Sequence, residues 1–94
     1  MKKYEVMYII RPNVDEEGKK SIIEEINQVF VKNASVGSEV KEWSLRELAY
    51  EIDGETKGYY VLLNVMATAE ACNEFTRRAN INENVMRHIV VRAA

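Results

Sequence analysis

The dipeptide Asp53-Gly54 lies near the middle of the chain, between two strand-like segments at about 39–52 and 58–66. An Asp-Gly pair between such segments is a strong signal for a tight β-hairpin, because glycine adopts a positive φ without steric cost. The sequence therefore predicts two long antiparallel strands at its centre, and any fold must accommodate this hairpin.

The predicted hairpin is flanked on each side by one strand-like and one helical segment. Residues 4–10 alternate with period two, and Pro12 ends this strand because proline cannot donate to a β-ladder. A turn is predicted at 33–37, a polar connector at 80–84 and the last strand at 85–92. Four strands and two helices result.

Both predicted helices have a capping residue and an apolar stripe. Asp15 is placed to cap the first helix and Thr68 the second, since their oxygens can accept hydrogen bonds from free N–H groups of the first turn. Gly18 weakens the first helix by roughly 1 kcal/mol relative to alanine. The stripes at helical spacing are Ile22, Ile23, Ile26, Val29 and Phe30 in the first helix and Cys72, Phe75 and Ala79 in the second.

The element order β-α-β-β-α-β is that of the split βαβ unit. Right-handed crossovers place the first and third strands in the centre, the fourth beside the first and the second beside the third. We therefore expect a single α+β domain over residues 1–94. Its ferredoxin-like, four-stranded antiparallel sheet has the order 4-1-3-2, with both helices on one face. Alternation turns these residues toward the helices: Val6, Tyr8, Leu63, Val65 and Val90.

Composition excludes several classes of protein. The chain has one cysteine, Cys72, so neither an internal disulfide nor a cysteine-rich metal site is expected. No run of about 18 apolar residues indicates a transmembrane helix, and no apolar block follows the N-terminal lysines as it would in a signal peptide. We expect a cytoplasmic protein that does not bind membranes.

The formal net charge is only −2, but the charges are unevenly distributed. Residues 1–11 carry three basic side chains against one acidic, and residues 77–94 carry four against one, whereas residues 12–76 carry six against thirteen. Because the predicted topology places the terminal strands side by side, we expect one basic edge, the electrostatic footprint of nucleic-acid binding.

Three segments carry a family resemblance. They are residues 2–13 (KKYEVMYIIRPN), residues 43–60 with the motifs WSLRELAYEI and KGYY, and residues 82–91 (NENVMRHIVV). In order, spacing and total length they resemble the ribosomal protein S6 family of the bacterial small subunit, over essentially the whole chain. The resemblance implies a structural component of the 30S subunit that binds the central domain of 16S rRNA together with ribosomal protein S18. It also implies a monomer when isolated, and no cofactor.

The chain departs from the family pattern in the second strand. Ser44 stands where glycine is frequent, Glu47 where a basic residue or glutamine is usual, and Glu51 where proline is common. The basic cluster of this strand is thereby reduced to Arg46, which weakens the expectation of RNA contacts there. A diverged paralogue with lower RNA affinity is therefore an alternative.

Two sets of candidate interface residues follow. The candidates for RNA contacts are Lys2, Lys3, Tyr4, Arg46, Lys57, Arg87 and Arg92. The apolar residues expected on the helix-free face, where the resemblance places the S18 contact, are Met7, Ile9, Tyr60, Leu62, Ile89 and Val91. Alternatively, Tyr4 is a core tyrosine and the apolar set is an ordinary, partly solvated sheet surface.

Four further side chains lie outside these two sets. Arg77 and Arg78 end the second helix and are interpreted as cations that favour its dipole. Trp43 and Tyr50 are seven residues apart and point to opposite faces of a regular strand unless a bulge intervenes. We expect Tyr50 near the core or the hairpin, and Trp43 is left without a role.

Nothing in the sequence indicates catalysis. The only histidine, His88, lies in a predicted strand and is interpreted as structural, and neither a phosphate-binding glycine loop nor a metal site is expected. An RNA recognition motif shares the element order, but Tyr60 and Val61 occupy its glycine and aromatic positions. The main alternative is a ferredoxin-like interaction module that homodimerises through its open sheet.

Overall fold

The computed structural model describes residues 2–32, 36–52 and 54–92, and for residues 36–43 the backbone alone. The elements are β1 (Lys2–Ile10), α1 (Glu16–Lys32), β2 (Val36–Ile52), β3 (Glu55–Ala67), α2 (Ala69–Ile81) and β4 (Val85–Arg92). The strands form one antiparallel sheet of order β2-β3-β1-β4, which is the predicted order read from its other edge. The predicted ferredoxin-like fold is confirmed.

The central hairpin is longer than predicted. β3 begins at Glu55, which pairs with Ile52, and it continues to Ala67. Gly54 has a φ of 80°, the positive value that made the Asp-Gly pair a turn signal. The sequence prediction began this strand at residue 58 because residues 55–57 are polar. A hairpin that projects from a sheet does not require an apolar face, so polar residues can belong to its strands.

Two other boundaries differ from the prediction. The turn predicted at 33–37 ends earlier, since β2 begins at Val36 and Gly37 lies within the strand. Ladder pairing between Val36 and Met66 outweighs the low strand propensity of the glycine. Residues 33–35 lie outside the described part of the chain. At the other connection, α2 continues to Ile81, so the connector is shorter than expected.

Both predicted helix caps are confirmed. Asp15 Oδ1 accepts a hydrogen bond from the Gly18 N–H at 2.7 Å, and Thr68 Oγ1 accepts one from the Ala71 N–H at 3.2 Å. A Cβ at position 18 would lie 2.7 Å from Val14 Cγ1 and 2.8 Å from the capping oxygen. The glycine that lowers helix propensity is therefore the residue that lets the cap form.

The core lies between the two helices and one face of the sheet. Phe75 packs against Phe30 and Tyr8, with ring centroids 5.8 Å and 6.1 Å apart. The helical residues predicted for the core are all buried, and Val90 packs at its margin. Since truncating a buried phenylalanine costs about 3–5 kcal/mol, this aromatic cluster accounts for a large share of the stability of such a domain.

The other side of the sheet, called the open face here, has no helix against it. Directly paired residues of an antiparallel sheet project to the same side. Two rows of paired residues cross the open face: Leu62, Met7 and Ile89 in one, and Tyr60, Ile9 and Arg87 in the other. The six residues predicted for this side lie there, with Val91 opposite Glu5.

Ile9 is an exception to the expected exposure. It is 3% exposed although it faces away from the helices, so its expected place in an exposed apolar surface is wrong. A Cβ at Gly58 would overlap with Cγ2 of Ile9 and lie 3.3 Å from a methyl of Leu48. Ile9 therefore fills the space left by the missing side chain of Gly58, and the end of the hairpin covers it.

A large bulge explains this cover. Between the pairs Glu47–Lys57 and Ile52–Glu55, β2 advances by five residues while β3 advances by two. Residues 47–58, called the hairpin arm here, extend beyond the last β1–β3 pair, Ile10 with Tyr59. Because bulges bend a strand and increase its twist, the hairpin arm curves over the end of the open face.

Candidate nucleic-acid and protein interfaces

The start of β1, the end of β4 and the beginning of α2 meet at one end of the molecule. They enclose a cavity of about 300 Å³, called the terminal cleft, whose lining residues are Lys2, Tyr4, Ala67, Thr68, Ala69 and Arg92. Tyr4 pairs directly with Arg92, which confirms that the two terminal strands lie side by side. Three of the seven predicted RNA-contact residues are therefore brought together here.

The chemistry of the terminal cleft suits a nucleotide. Two cationic side chains flank it, and the N-terminal end of α2 adds a partial positive charge. Tyr4 is half-buried and packs against the core while it also lines the cleft. The two interpretations of Tyr4 are thus compatible, since one ring can contact the core and leave an edge for a base.

The remaining predicted RNA contacts lie elsewhere. Alternation places Lys3 on the open face, opposite Met66, whereas Lys2 and Arg92 belong to the helix side. Arg87 lies on the open face, five residues from Arg92, or roughly 17 Å along the strand. The single basic edge expected from the sequence is thus divided between two faces and two ends of β4, because neighbouring residues of a strand point in opposite directions.

Arg46 and Lys57 belong to the region of the hairpin arm. The Arg46 guanidinium carbon lies 5.9 Å from the ring centroid of Tyr60, and its Nε donates to Ser44 Oγ at 3.2 Å. Lys57 is exposed, and it is paired across the ladder with Glu47. The acidic residue opposite Lys57 lowers the local positive potential, so Lys57 is a weaker candidate RNA contact than the cations of the terminal cleft.

Arg87 of β4 contacts the hairpin arm. Its Nη1 donates a hydrogen bond to the Tyr50 hydroxyl, and its guanidinium carbon lies 5.1 Å from the centroid of that ring. Tyr50 is 58% exposed and lies in the hairpin arm, outside the core, so of its two expected places the hairpin is the correct one. The sequence contained one indication of the irregular strand that permits this contact, because the spacing of Trp43 and Tyr50 raised the possibility of a bulge. The Trp43 side chain lies outside the described part of the structure.

Part of the predicted protein-contact surface is exposed. Ile89 and Val91 are 47% and 48% exposed, and Met7 and Leu62 beside them are half-buried. These four residues are called the apolar patch here. A groove of about 360 Å³ runs along it, lined by Met7, Arg87, His88 and Ile89. Met66, exposed and not predicted as a contact residue, lies on the same face, as its pairing with Lys3 shows.

His88 has a structural environment. Its ring meets Phe75 edge-on at a centroid distance of 5.8 Å, and its Nε2 lies 2.9 Å from Asn80 Oδ1. These contacts join β4 to α2. Among residues 2–32, 36–52 and 54–92, no three histidine, cysteine, aspartate or glutamate side chains are grouped to hold a metal ion.

Arg77 and Arg78 take part in an ion-pair network on the helices. Arg77 Nη2 and Arg78 Nε lie 2.5 Å and 3.2 Å from Glu74 Oε1, and Arg78 Nη1 lies 3.6 Å from Glu25 on α1. Hydrogen bonding from Arg77, with a smaller contribution from Arg78, lowers the pKa of Glu74 to about 2. Both arginines are thus engaged within the protein, on the side away from the apolar patch.

None of the helices in the described part of the chain combines the length and the apolar character needed to cross a bilayer. The longer of the two, α1, has 17 residues and buries one stripe against the sheet.

Comparisons with known proteins agree with this architecture. The family model described as ribosomal protein S6 matches residues 3–92. The crystal structure of 30S ribosomal protein S6 from Thermotoga maritima superposes with a TM-score of 0.84 and 23% sequence identity, covering 98% of this chain and 87% of that one. At this identity the structural match supports the fold, and the family match extends over nearly the whole sequence.

Proposed function

The chain belongs to the ribosomal protein S6 family and is a small-subunit ribosomal protein, and we propose that it binds the central domain of 16S rRNA jointly with ribosomal protein S18. The family is structural and not catalytic, in agreement with the prediction that the chain is not an enzyme. The isolated chain is a cytoplasmic monomer in this proposal, and assembly occurs when its two partners are present.

The observation that carries the proposal is the separation of the two candidate surfaces. The terminal cleft lies at the helix side of the sheet, and the apolar patch lies on the open face. An RNA strand in the cleft and a protein on the patch would not compete for the same side chains. The arrangement therefore supports simultaneous binding, which a joint complex requires.

Charge supports a cooperative complex over independent RNA binding. Among the described residues that line the terminal cleft, two are cationic, Lys2 and Arg92, and the chain as a whole is slightly acidic. Each phosphate contact adds at most about 0.9 to the steepness with which log affinity falls as log salt concentration rises. Because two or three such contacts contribute little affinity, the chain alone should bind RNA weakly at physiological salt. A basic partner that docks on the apolar patch would supply the remaining positive charge.

The test is isothermal titration calorimetry with S18, an rRNA central-domain fragment, and both, at two salt concentrations. We expect the ternary complex to be the tightest and the most salt-dependent. Arg92→Ala should weaken RNA binding in the presence of S18 and reduce the salt slope by about 1. Lys20→Ala, which removes an exposed lysine of α1 away from both surfaces, is the charge-matched control.

Ile89→Ser tests the protein surface separately. It should weaken S18 binding and leave thermal unfolding nearly unchanged, since Ile89 is half exposed. Sedimentation of the isolated chain distinguishes the homodimer alternative. Self-association that Ile89→Ser abolishes, together with no affinity for S18, would refute the proposed function and favour the interaction module.

A further inference from the structure

The contact between Tyr50 and Arg87 joins the two outermost strands of the sheet. In the order β2-β3-β1-β4, two strands separate them, and a flat sheet would keep β2 and β4 roughly 14 Å apart. The bulge in β2 removes this separation, because it lets the hairpin arm curve over the open face. The Tyr50–Arg87 contact therefore depends on the bulge in β2.

Packing does not explain Tyr50. More than half of its side chain is exposed, and the covering of Ile9 involves Leu48 and Gly58. The specific contact that Tyr50 makes is with the guanidinium of Arg87, through both its ring and its hydroxyl. A tyrosine that combines stacking with a hydrogen bond restricts the orientation of the arginine fork.

Arg87 differs from the arginines of α2 in what it binds. Arg77 and Arg78 both pair with Glu74, whereas Arg87 has no carboxylate within ion-pair distance among the described side chains. Its partner Tyr50 is neutral and takes one of five N–H donors. The positive charge and the other N–H donors of Arg87 are therefore available to an anion of a binding partner. The contact with Tyr50 already orients the guanidinium group for that anion.

We infer that Tyr50 is a positioning residue which holds Arg87 as a receptor for one backbone phosphate of RNA, at the margin of the open face. This inference rests on the proposed function, in which the protein partner on this face is basic and so would not neutralise Arg87. A planar guanidinium binds two phosphate oxygens at once. Fixing it before binding removes part of the entropy cost of ordering a long side chain.

The first test concerns the free protein and needs no RNA. Nitrogen-15 relaxation of the arginine Nε–H groups should show Arg87 markedly more ordered than Arg92, which stacks on no ring among the described side chains. Tyr50→Leu, which removes both the ring face and the hydroxyl, should make the two arginines equally mobile. An Arg87 as mobile as Arg92 in the unmodified protein would overturn the inference.

The second test measures affinity for the rRNA fragment in the presence of S18. Tyr50→Leu should weaken binding by roughly 2- to 12-fold, the range for immobilising one long side chain, and Tyr50→Phe, which keeps the ring face, should lose less. The salt slope should stay the same, because the phosphate contact is retained, whereas Arg87→Ala should reduce it by about 1. In the Arg87→Ala background, Tyr50→Leu should have no further effect.

The outcomes separate the inference from the function on which it rests. If the unmodified protein binds no RNA, the proposed function and the phosphate assignment both fail. If it binds RNA and Tyr50→Leu leaves the affinity unchanged, or adds to the loss in Arg87→Ala, the positioning role alone is overturned. If Arg87→Ala weakens S18 binding without RNA, the anion is a protein carboxylate and the phosphate assignment is wrong.

Discussion

Replacing Tyr8 by phenylalanine should stabilise this protein. Tyr8 is completely buried between the sheet and Phe75, and its hydroxyl has no hydrogen-bond partner among the described residues. Burial also raises the pKa of Tyr8 well above its usual value, so the group stays a neutral phenol throughout the range in which the protein is stable. In the unfolded chain, by contrast, the same hydroxyl is hydrated.

The magnitude follows from the cost of the unpaired hydroxyl. Leaving a buried polar group without a partner costs about 1–3 kcal/mol. Tyr8→Phe removes that group and keeps the ring, its edge contacts and its volume to within one oxygen atom. We therefore expect the free energy of unfolding to rise by about 1–3 kcal/mol. For a domain of this size, each kcal/mol raises Tm by about 4–8 °C.

Urea unfolding and thermal unfolding of the two proteins measure this change. The m-value should not change, because the surface exposed on unfolding is nearly the same. Tyr50→Phe is the matched control, since it deletes a hydroxyl that does accept a hydrogen bond, at an exposed position where changes stay within about 0.5 kcal/mol. A Tyr8→Phe protein that is equally stable or less stable would show that the hydroxyl is hydrogen-bonded in solution and refute the reasoning.

Three further predictions concern single side chains. Gly58→Ala should destabilise the fold by about 1–3 kcal/mol through overlap with Ile9, and urea unfolding of the double variant with Ile9→Ala should show less than the sum of the two effects. Because its pKa is lowered from 4.5 to about 2, Glu74 stabilises the fold above pH 4.5, and this contribution disappears as pH falls toward 2. Unfolding curves of Glu74→Gln and the unmodified protein should therefore differ at neutral pH and converge near pH 2. Burial raises the pKa of Cys72, so a thiol reagent at pH 8 should modify it at a rate set by opening of the structure, much slower than a free cysteine.

The parts of the fold that sequence could predict depend on local patterns. Asp15 and Thr68 cap helices because their oxygens reach N–H groups in the adjacent turn, which a short segment determines by itself. The period-two alternation of β1 and the helical stripes likewise determine which side chains enter the core. From these patterns and the handedness of crossovers, the strand order follows.

The bulge in β2 could not be predicted in this way. Its position depends on how Ile9, from a distant part of the chain, fits against Gly58, and no local pattern contains that contact. As a result, the burial of Ile9 and the reach of Tyr50 to Arg87 were missed. The division of the basic residues could have been found, however, since alternation alone places Lys2 and Lys3 on opposite faces.

The central position of β1 has a consequence for the order in which the protein folds. β1 is the first strand to be synthesised, yet it pairs with β3 on one side and β4 on the other, and with nothing close to it in sequence. Both edges of β1 therefore stay unpaired until most of the chain has emerged from the ribosome. In contrast, α1 and the β2–β3 hairpin can form from local contacts. During synthesis a strand whose residues Val6, Tyr8, Ile9 and Ile10 end up buried thus waits longest for its neighbours, and this interval is when a nascent chain is most exposed to aggregation.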